Sequence, residues 1–117
     1  MQTKRDTLII LDVDFEDPAY PGQRFYCWHC VLMEGLLVAF PELAAKVDVV
    51  RTPWPRPRQP VVDLLGPENQ SLPVLILADD ASAEIATSEY KGRRFVERKD
   101  AILNVLASRH GIPQPHP

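Results

Sequence analysis

Two short runs, Leu8-Ile9-Ile10-Leu11 and Val74-Leu75-Ile76-Leu77, contain no polar residue. Runs of this length, flanked by breakers, suit strands that must be kept from water on both faces. A chain with two such strands needs layers above and below one sheet, which predicts an α/β architecture. The 117 residues, 45% hydrophobic and 25% charged, suffice for a single domain over 1–117 with a real core.

The pattern around those runs orders the remaining elements. The first strand is predicted over residues 7–13, where Asp12, Val13 and Asp14 add an alternation after the apolar run. Residues 15–26 form a loop broken by Asp17-Pro18 and Pro21-Gly22; its length fits either a cover over a site or a solvated insertion. From Cys27 the period becomes helical. Met33, Leu36, Leu37 and Phe40 fall at i, i+3, i+4 and i+7 as a core stripe, and Pro41 ends the helix. Residues 47–51 supply a second strand rich in valine, so strand, helix and strand form a parallel, right-handed βαβ unit.

The twelve prolines are about twice the usual share, but they cluster rather than spread. Pro53, Pro55, Pro57 and Pro60 make a stiff surface connector carrying Trp54, Arg56 and Arg58, and Pro113, Pro115 and Pro117 lie in the tail. A short helix is expected over 60–65 before Gly66, and Pro73 marks the entrance of the strand at 74–77. Residues 79–90 read as a loop, Lys91-Gly92 as a turn, and 94–97 as a fourth strand antiparallel to the third. A last helix runs from about 100 to 110 on Ile102, Val105 and Leu106, where His110 favours the helix dipole.

Both cysteines of the chain fall in Cys27-Trp28-His29-Cys30, where the strand-and-loop segment gives way to the first helix. Chance placement would give this spacing roughly once in sixty arrangements. A structural zinc site needs four ligands, and neither a second cysteine pair nor a suitable spacing among His29, His110 and His116 supplies them. A structural disulfide here would close a tiny loop and remove little chain entropy. Redox chemistry, or binding derived from it, is the expected use. At the helix start Cys27 faces unpaired amides and the positive end of the dipole, which favour a thiolate, and His29 can donate a hydrogen bond or a charge to the same sulfur. Cys30, one turn in, is expected to stay a neutral, shielded thiol. Metal or iron–sulfur binding by Cys27 and Cys30 is the remaining alternative, and two thiolates would have to share a cluster across a dimer.

A net charge of −3 offers no basic field, so neither nucleic acid nor a membrane surface is an expected partner. The N-terminus begins like a signal peptide, but Asp12 and Asp14 stop the apolar run after four residues, against the seven to fifteen of an h-region. A cytoplasmic location follows as the expectation, where such a dithiol rests mostly reduced. No cofactor is called for. The oligomeric state is not fixed by these features.

Taken in order, the predicted elements and the motifs Cys27-Trp28-His29-Cys30 and Ser71-Leu72-Pro73-Val74-Leu75 resemble a thioredoxin-like fold of the glutaredoxin or glutathione-transferase N-terminal type, over roughly residues 7–111. The runs at 17–27, 69–75 and 92–95 are similar, more closely, to a small bacterial thioredoxin-like family known as a domain of unknown function. The resemblance implies a mixed four-stranded sheet flanked by helices. It also implies a thiol-disulfide oxidoreductase with Cys27 as nucleophile, Cys30 as the resolving thiol and Pro73 as a cis-proline facing them. Trp28, Leu72 and Pro73 would contact a protein or small-molecule disulfide, Leu72 through its backbone. A non-catalytic module binding a partner in the same groove is the alternative from another class. Where glutathione-transferase domains place an acidic residue and a serine to hold the γ-glutamyl group, this chain has Arg98 and Lys99, then Asp100. Glutathione is therefore not an expected ligand, and a transferase would need a second helical domain.

Overall fold

In the computed structural model, which describes residues 4–117, five strands form one mixed sheet packed with four helices. The elements in chain order are β1 (Thr7–Leu11), α1 (Trp28–Ala39), α2 (Pro41–Ala44), β2 (Asp48–Thr52), α3 (Gln59–Leu65), β3 (Val74–Ile76), β4 (Ser88–Tyr90), β5 (Arg93–Glu97) and α4 (Lys99–His110). The start of the signal-like segment, residues 1–3, lies outside the described residues. Among the described residues no helix is long and apolar enough to cross a membrane.

The strand order is β2-β1-β3-β5-β4. β1 runs parallel to β2 and antiparallel to β3, with Leu8 opposite both Val49 and Leu75, and β3 runs antiparallel to β5. Alternation along the strands divides the core in two. Leu8, Ile10, Leu75 and Val96 point to one face, where Cys30 and Met33 of α1, Leu43 of α2 and Ile102 and Leu106 of α4 cover them. Ile9, Val74, Ile76 and Phe95 point to the other, under Val61 and Leu65 of α3. The apolar runs thus have the two-sided cover that their composition demanded, and α1 is held by its Met33 stripe, with Leu36, Leu37 and Phe40 at its margin.

Two elements depart from the four-stranded expectation. Residues 79–90 are not all loop: Ser82 caps a 3-10 turn at Ala83–Ile85, and β4 then pairs with β5 across the Lys91-Gly92 turn, Tyr90 opposite Arg93. Ser88-Glu89-Tyr90 has no apolar alternation of its own, so the hairpin partner, not local pattern, makes it a strand. Tyr90 also explains Gly66, at the end of α3 with a φ of +83°, since a Cβ there would come within 2.6 Å of the Tyr90 ring. Pro41, expected only as a stop, also opens α2, where its missing N–H costs nothing.

At the start of β1, Asp6 is a buried carboxylate. It accepts from the Ala78 amide at 2.7 Å and from Arg109 at 2.7 and 3.0 Å, and it meets His110 Nε2 at 2.7 Å. His110 therefore does more than complement the dipole of α4: with Arg109 it ties that helix to the sheet. Burial pushes the Asp6 carboxyl up, but hydrogen bonds from Arg109, Ala78 and His110 outweigh it and hold the group below its ordinary value. A carboxyl lowered on folding contributes stability that is complete above its unfolded value, near 3.9, and is lost as pH falls through the lower folded value. Asp6→Asn is expected to cost about 1.5–3 kcal/mol at pH 7, because the charge-assisted bonds to Arg109 and His110 are lost while Arg109 keeps Asp80 at 2.9 Å. Urea unfolding at pH 7 and pH 3 checks this: the gap between wild type and variant should narrow at the lower pH.

Candidate functional site

The site begins where β1 ends. The Leu11 amide donates not to a neighbouring strand but to Cys30 Sγ, at 3.4 Å. Cys30 is 1% exposed and belongs to the core under α1 and α4. Three residues earlier, Cys27 is the N-cap of α1, in extended conformation, and its sulfur accepts the Cys30 amide at 3.4 Å. One otherwise orphaned amide of the helix start is thus spent on the Cys27 sulfur, the role that serine or aspartate usually fills. Cys27 is half-buried, and both cysteines are free thiols.

Burial pushes the Cys30 thiol up to about 12; the Leu11 amide opposes the shift, and the hydrogen bond and charge of Cys27 add to it. The expectation of a neutral, shielded Cys30 thus stands on burial, and the amide that reaches its sulfur comes from β1 instead of the helix. His29 is exposed and makes no hydrogen bond to either sulfur; its ring lies 6.4 Å from that of Trp28, edge on. Cys27, Trp28 and His29 line a shallow, mostly apolar hollow of about 300 Å³.

His29 also borders a larger groove of about 880 Å³ on the other side, with Ser71, Leu72, Pro73, Arg98 and Lys99 among its walls. The Leu72–Pro73 peptide is cis, as is Arg56–Pro57. Pro73 itself is buried, and Leu72 stands just outside the β3 ladder, so its backbone N–H and C=O take no bond among the described residues. Arg98, at φ +73°, precedes α4 without a side-chain cap, and Lys99 meets Asp100 at 3.2 Å. Five of the six sequence-derived residues, Cys27, Trp28, His29, Leu72 and Pro73, therefore line two openings that adjoin at His29, and the sixth, Cys30, is buried behind Cys27 and reaches neither.

The loop at 15–26 does not border either opening. Phe15 and Phe25 pair through reciprocal amides at 3.0 and 2.8 Å, and Phe15 stacks on Trp54 at 5.7 Å. With Pro53 and Trp54 the loop encloses a separate, acidic cavity of about 710 Å³.

Arg58 is the residue that pattern reasoning missed. It sits in the proline-rich connector, which the sequence assigns to the surface, yet it is only 7% exposed. Its Nε donates to the Trp54 carbonyl and its Nη1 to the Gln70 carbonyl, both at 2.8 Å, and its backbone amide donates to Gln70 Oε1 at 2.7 Å. Gln70, also buried, in turn donates to the Pro67 carbonyl at 2.8 Å. This latch anchors the connector to the segment that leads into Leu72-Pro73. Among the described residues Arg58 has no carboxylate within ion-pair range. Burial and the charge of Arg56 lower its pKa, while Cys30 and Cys27 act in the opposite sense. A guanidinium stays charged under these conditions, so the cysteine pair sits in the field of a buried cation that no acid neutralises. Alternating prolines and arginines resemble any solvated linker; the contacts with Trp54 and with Gln70, twelve residues on, distinguish Arg58 from Arg56.

A family model described as protein of unknown function (DUF3088) matches residues 5–114. The chain belongs to this family. No curated protein and no solved structure matches the chain. In this DUF3088 member no group of three or more His, Cys, Asp or Glu side chains is arranged to hold a metal ion among the described residues.

The two sulfurs differ enough to be told apart by modification. Iodoacetamide at neutral pH is expected to label Cys27 while Cys30 stays unmodified in the folded chain. A thiol titrating near 12 carries roughly a thousandth of the thiolate of a free cysteine, and burial removes the reagent as well. Peptide mass mapping before and after unfolding in urea reads the difference.

Proposed function

We propose that this chain is a cytoplasmic thiol-disulfide oxidoreductase with a thioredoxin-like fold. The observation that carries the proposal is the graded pair: Cys27 at the open helix start, its sulfur bonded to the Cys30 amide, with Cys30 buried directly behind it. A strand order with β1 parallel to β2, β3 and β5 antiparallel to their neighbours, α1 crossing from β1 to β2 and α4 following β5 supports the fold reading. The cis Leu72–Pro73 peptide beside the same groove supports it too.

The chemistry assigns each residue a task. The Cys27 thiolate attacks one sulfur of a substrate disulfide, forming a mixed disulfide and releasing the other half as a thiolate. That thiolate takes the Cys30 proton. The Cys30 thiolate then attacks Cys27 Sγ, the second substrate thiolate leaves, and the protein holds a Cys27–Cys30 disulfide; two electrons have passed to the substrate, and an external dithiol restores the pair. Resolution is the demanding step, because it requires a charge on a sulfur pushed up to about 12 by burial. Arg58 opposes that penalty as the charge forms, and its carbonyl tethers hold it in place. Trp28 offers an apolar surface beside Cys27, and the unpaired Leu72 backbone offers strand-like hydrogen bonds to an extended partner. Groove walls with both Arg98 and Glu97 suit a protein disulfide better than the small, acidic glutathione.

Reduction of a disulfide-bearing model protein with a dithiol donor tests this. Cys27→Ser should abolish activity, and Cys30→Ser should leave a mixed disulfide that mass spectrometry detects. Arg58→Met should slow resolution and shift that step's pH profile upward, because a charge that opposes the burial penalty on a Cys30 thiolate is gone. Reduced glutathione should serve as a poor, non-saturating donor. Failure of the wild type to exchange disulfides, with both thiols intact, would leave a module that binds peptides in the same groove.

A further inference from the structure

The outward half of α1 is apolar. At 100° per residue Trp28, Val31, Leu32, Gly35, Val38 and Ala39 share the side opposite Cys30 and Met33. Trp28 and Val38 are 80% and 81% exposed, and Leu32 is 38% exposed. α4 shows the ordinary arrangement, with Asp100, Asn104 and Ser108 turned to solvent. A helix apolar on both sides is one that is covered on both sides.

Three observations identify the cover. First, the face carries no lysine or arginine, which a helix lying on an anionic lipid surface uses to hold headgroups. The helix's one charged residue, Glu34, lies on the flank and is already paired with Arg51 at 2.7 Å through both oxygens. Second, Gly35 has no packing reason within this chain: a Cβ built on it meets nothing within 4 Å. Glycine in a helix interior is unfavourable, and here it leaves a hollow on the outward face. Third, the face is complementary to itself. Reversed and paired about the midpoint between Met33 and Glu34, residue numbers that sum to 67 oppose each other. Along the centre of the face Leu32 then meets Gly35 of the second copy and Trp28 meets Ala39, a large residue against a small one each time, while Val31 and Val38 fall at its edges, opposite Leu36 and His29.

We infer that the chain self-associates as an antiparallel, two-fold α1–α1 dimer, with Leu32 of each copy seated over Gly35 of the other. The small residue at the crossing lets the helix axes approach closely. Two-fold contacts use the same patch on both subunits, as this pairing does. One helix face is smaller than the roughly 800 Å² per partner of a standard interface, so the dimer is reversible and concentration-dependent.

Sedimentation velocity of the full chain, reduced, from about 10 μM to 1 mM tests this. The weight-average mass should rise from the 13.2 kDa of the monomer toward twice that value. Leu32→Glu should hold it at the monomer throughout, and Gly35→Ile should weaken association at least tenfold. Circular dichroism confirms that both remain folded, and Asn104→Glu on α4 should change nothing. Register is read by oxidative cross-linking in a Cys27→Ser/Cys30→Ser background. Gly35→Cys should cross-link to itself, being about 4.5 Å from its mate along the axis, whereas Trp28→Cys, about 16 Å away, should not. A chain that stays monomeric to 1 mM, a dimer indifferent to Leu32→Glu, or efficient Trp28→Cys self-cross-linking would each overturn the proposal; the first would assign the face to a different protein.

Discussion

The hydrogen bond from the Leu11 amide to Cys30 Sγ joins the last residue of β1 to the second residue of the dithiol, and much else depends on it. β1 is fixed by its neighbours, β2 on one side and β3 on the other, so its end is a rigid point. Anchoring Cys30 there, with Met33, Leu36 and Leu37 packed on the same core, fixes the rotation of α1 about its own axis. With Cys30 and Met33 turned inward, Cys27 falls at the cap position and Trp28 turns outward, about 160° from Cys30. This contact and the packing of the Met33 stripe together decide which sulfur is buried, which is accessible and which apolar side chains remain uncovered.

Buried polar clusters sit in two places and do different work. Asp6 has Arg109, His110 and the Ala78 amide around it, so its charge is fully answered and its role is to lock α4 against β1 and the segment after β3. Arg58 has carbonyl partners only. Carbonyls orient a guanidinium but do not neutralise it, and the remaining field falls on the cysteines. The Asp6 cluster reads as architecture, whereas the unanswered charge of Arg58 acts on Cys27 and Cys30, as the proposed function would require if an anion develops there.

How much of this was legible in the sequence follows from where each signal resides. β1, β2, β3, β5, α1, α3 and α4 carry their own periodicity or caps, so their existence could be read locally, with boundaries displaced by one or two residues. β4 could not, because Ser88-Glu89-Tyr90 becomes a strand only through β5 and the contact of Tyr90 with Gly66. The spacing of Cys27 and Cys30 announced the candidate site. It could not announce Arg58 and Gln70, whose burial depends on two loops meeting, nor the Asp6 cluster, whose partners lie about a hundred residues apart. The outward face of α1 was present in the sequence all along, but a stripe search stops once one apolar face has been found, and Met33, Leu36, Leu37 and Phe40 satisfied it.

The dithiol and the outward face of α1 share a helix, and geometry keeps their tasks apart. In an antiparallel pair the two Cys27 residues lie at opposite ends of the contact, about 20 Å apart along the axis, too far for a disulfide between copies. If the pair oxidises as proposed, the disulfide would therefore form within each chain, between Cys27 and Cys30. Trp28 is the one residue common to both: its ring lies beside the hollow at Cys27 and also at the end of the paired face, against Ala39 of the second copy. Association would fix a side chain that is otherwise 80% exposed and already lines the hollow. Ordering Trp28 before a substrate arrives removes that entropy cost from the encounter, so self-association and disulfide binding at Cys27 would favour each other.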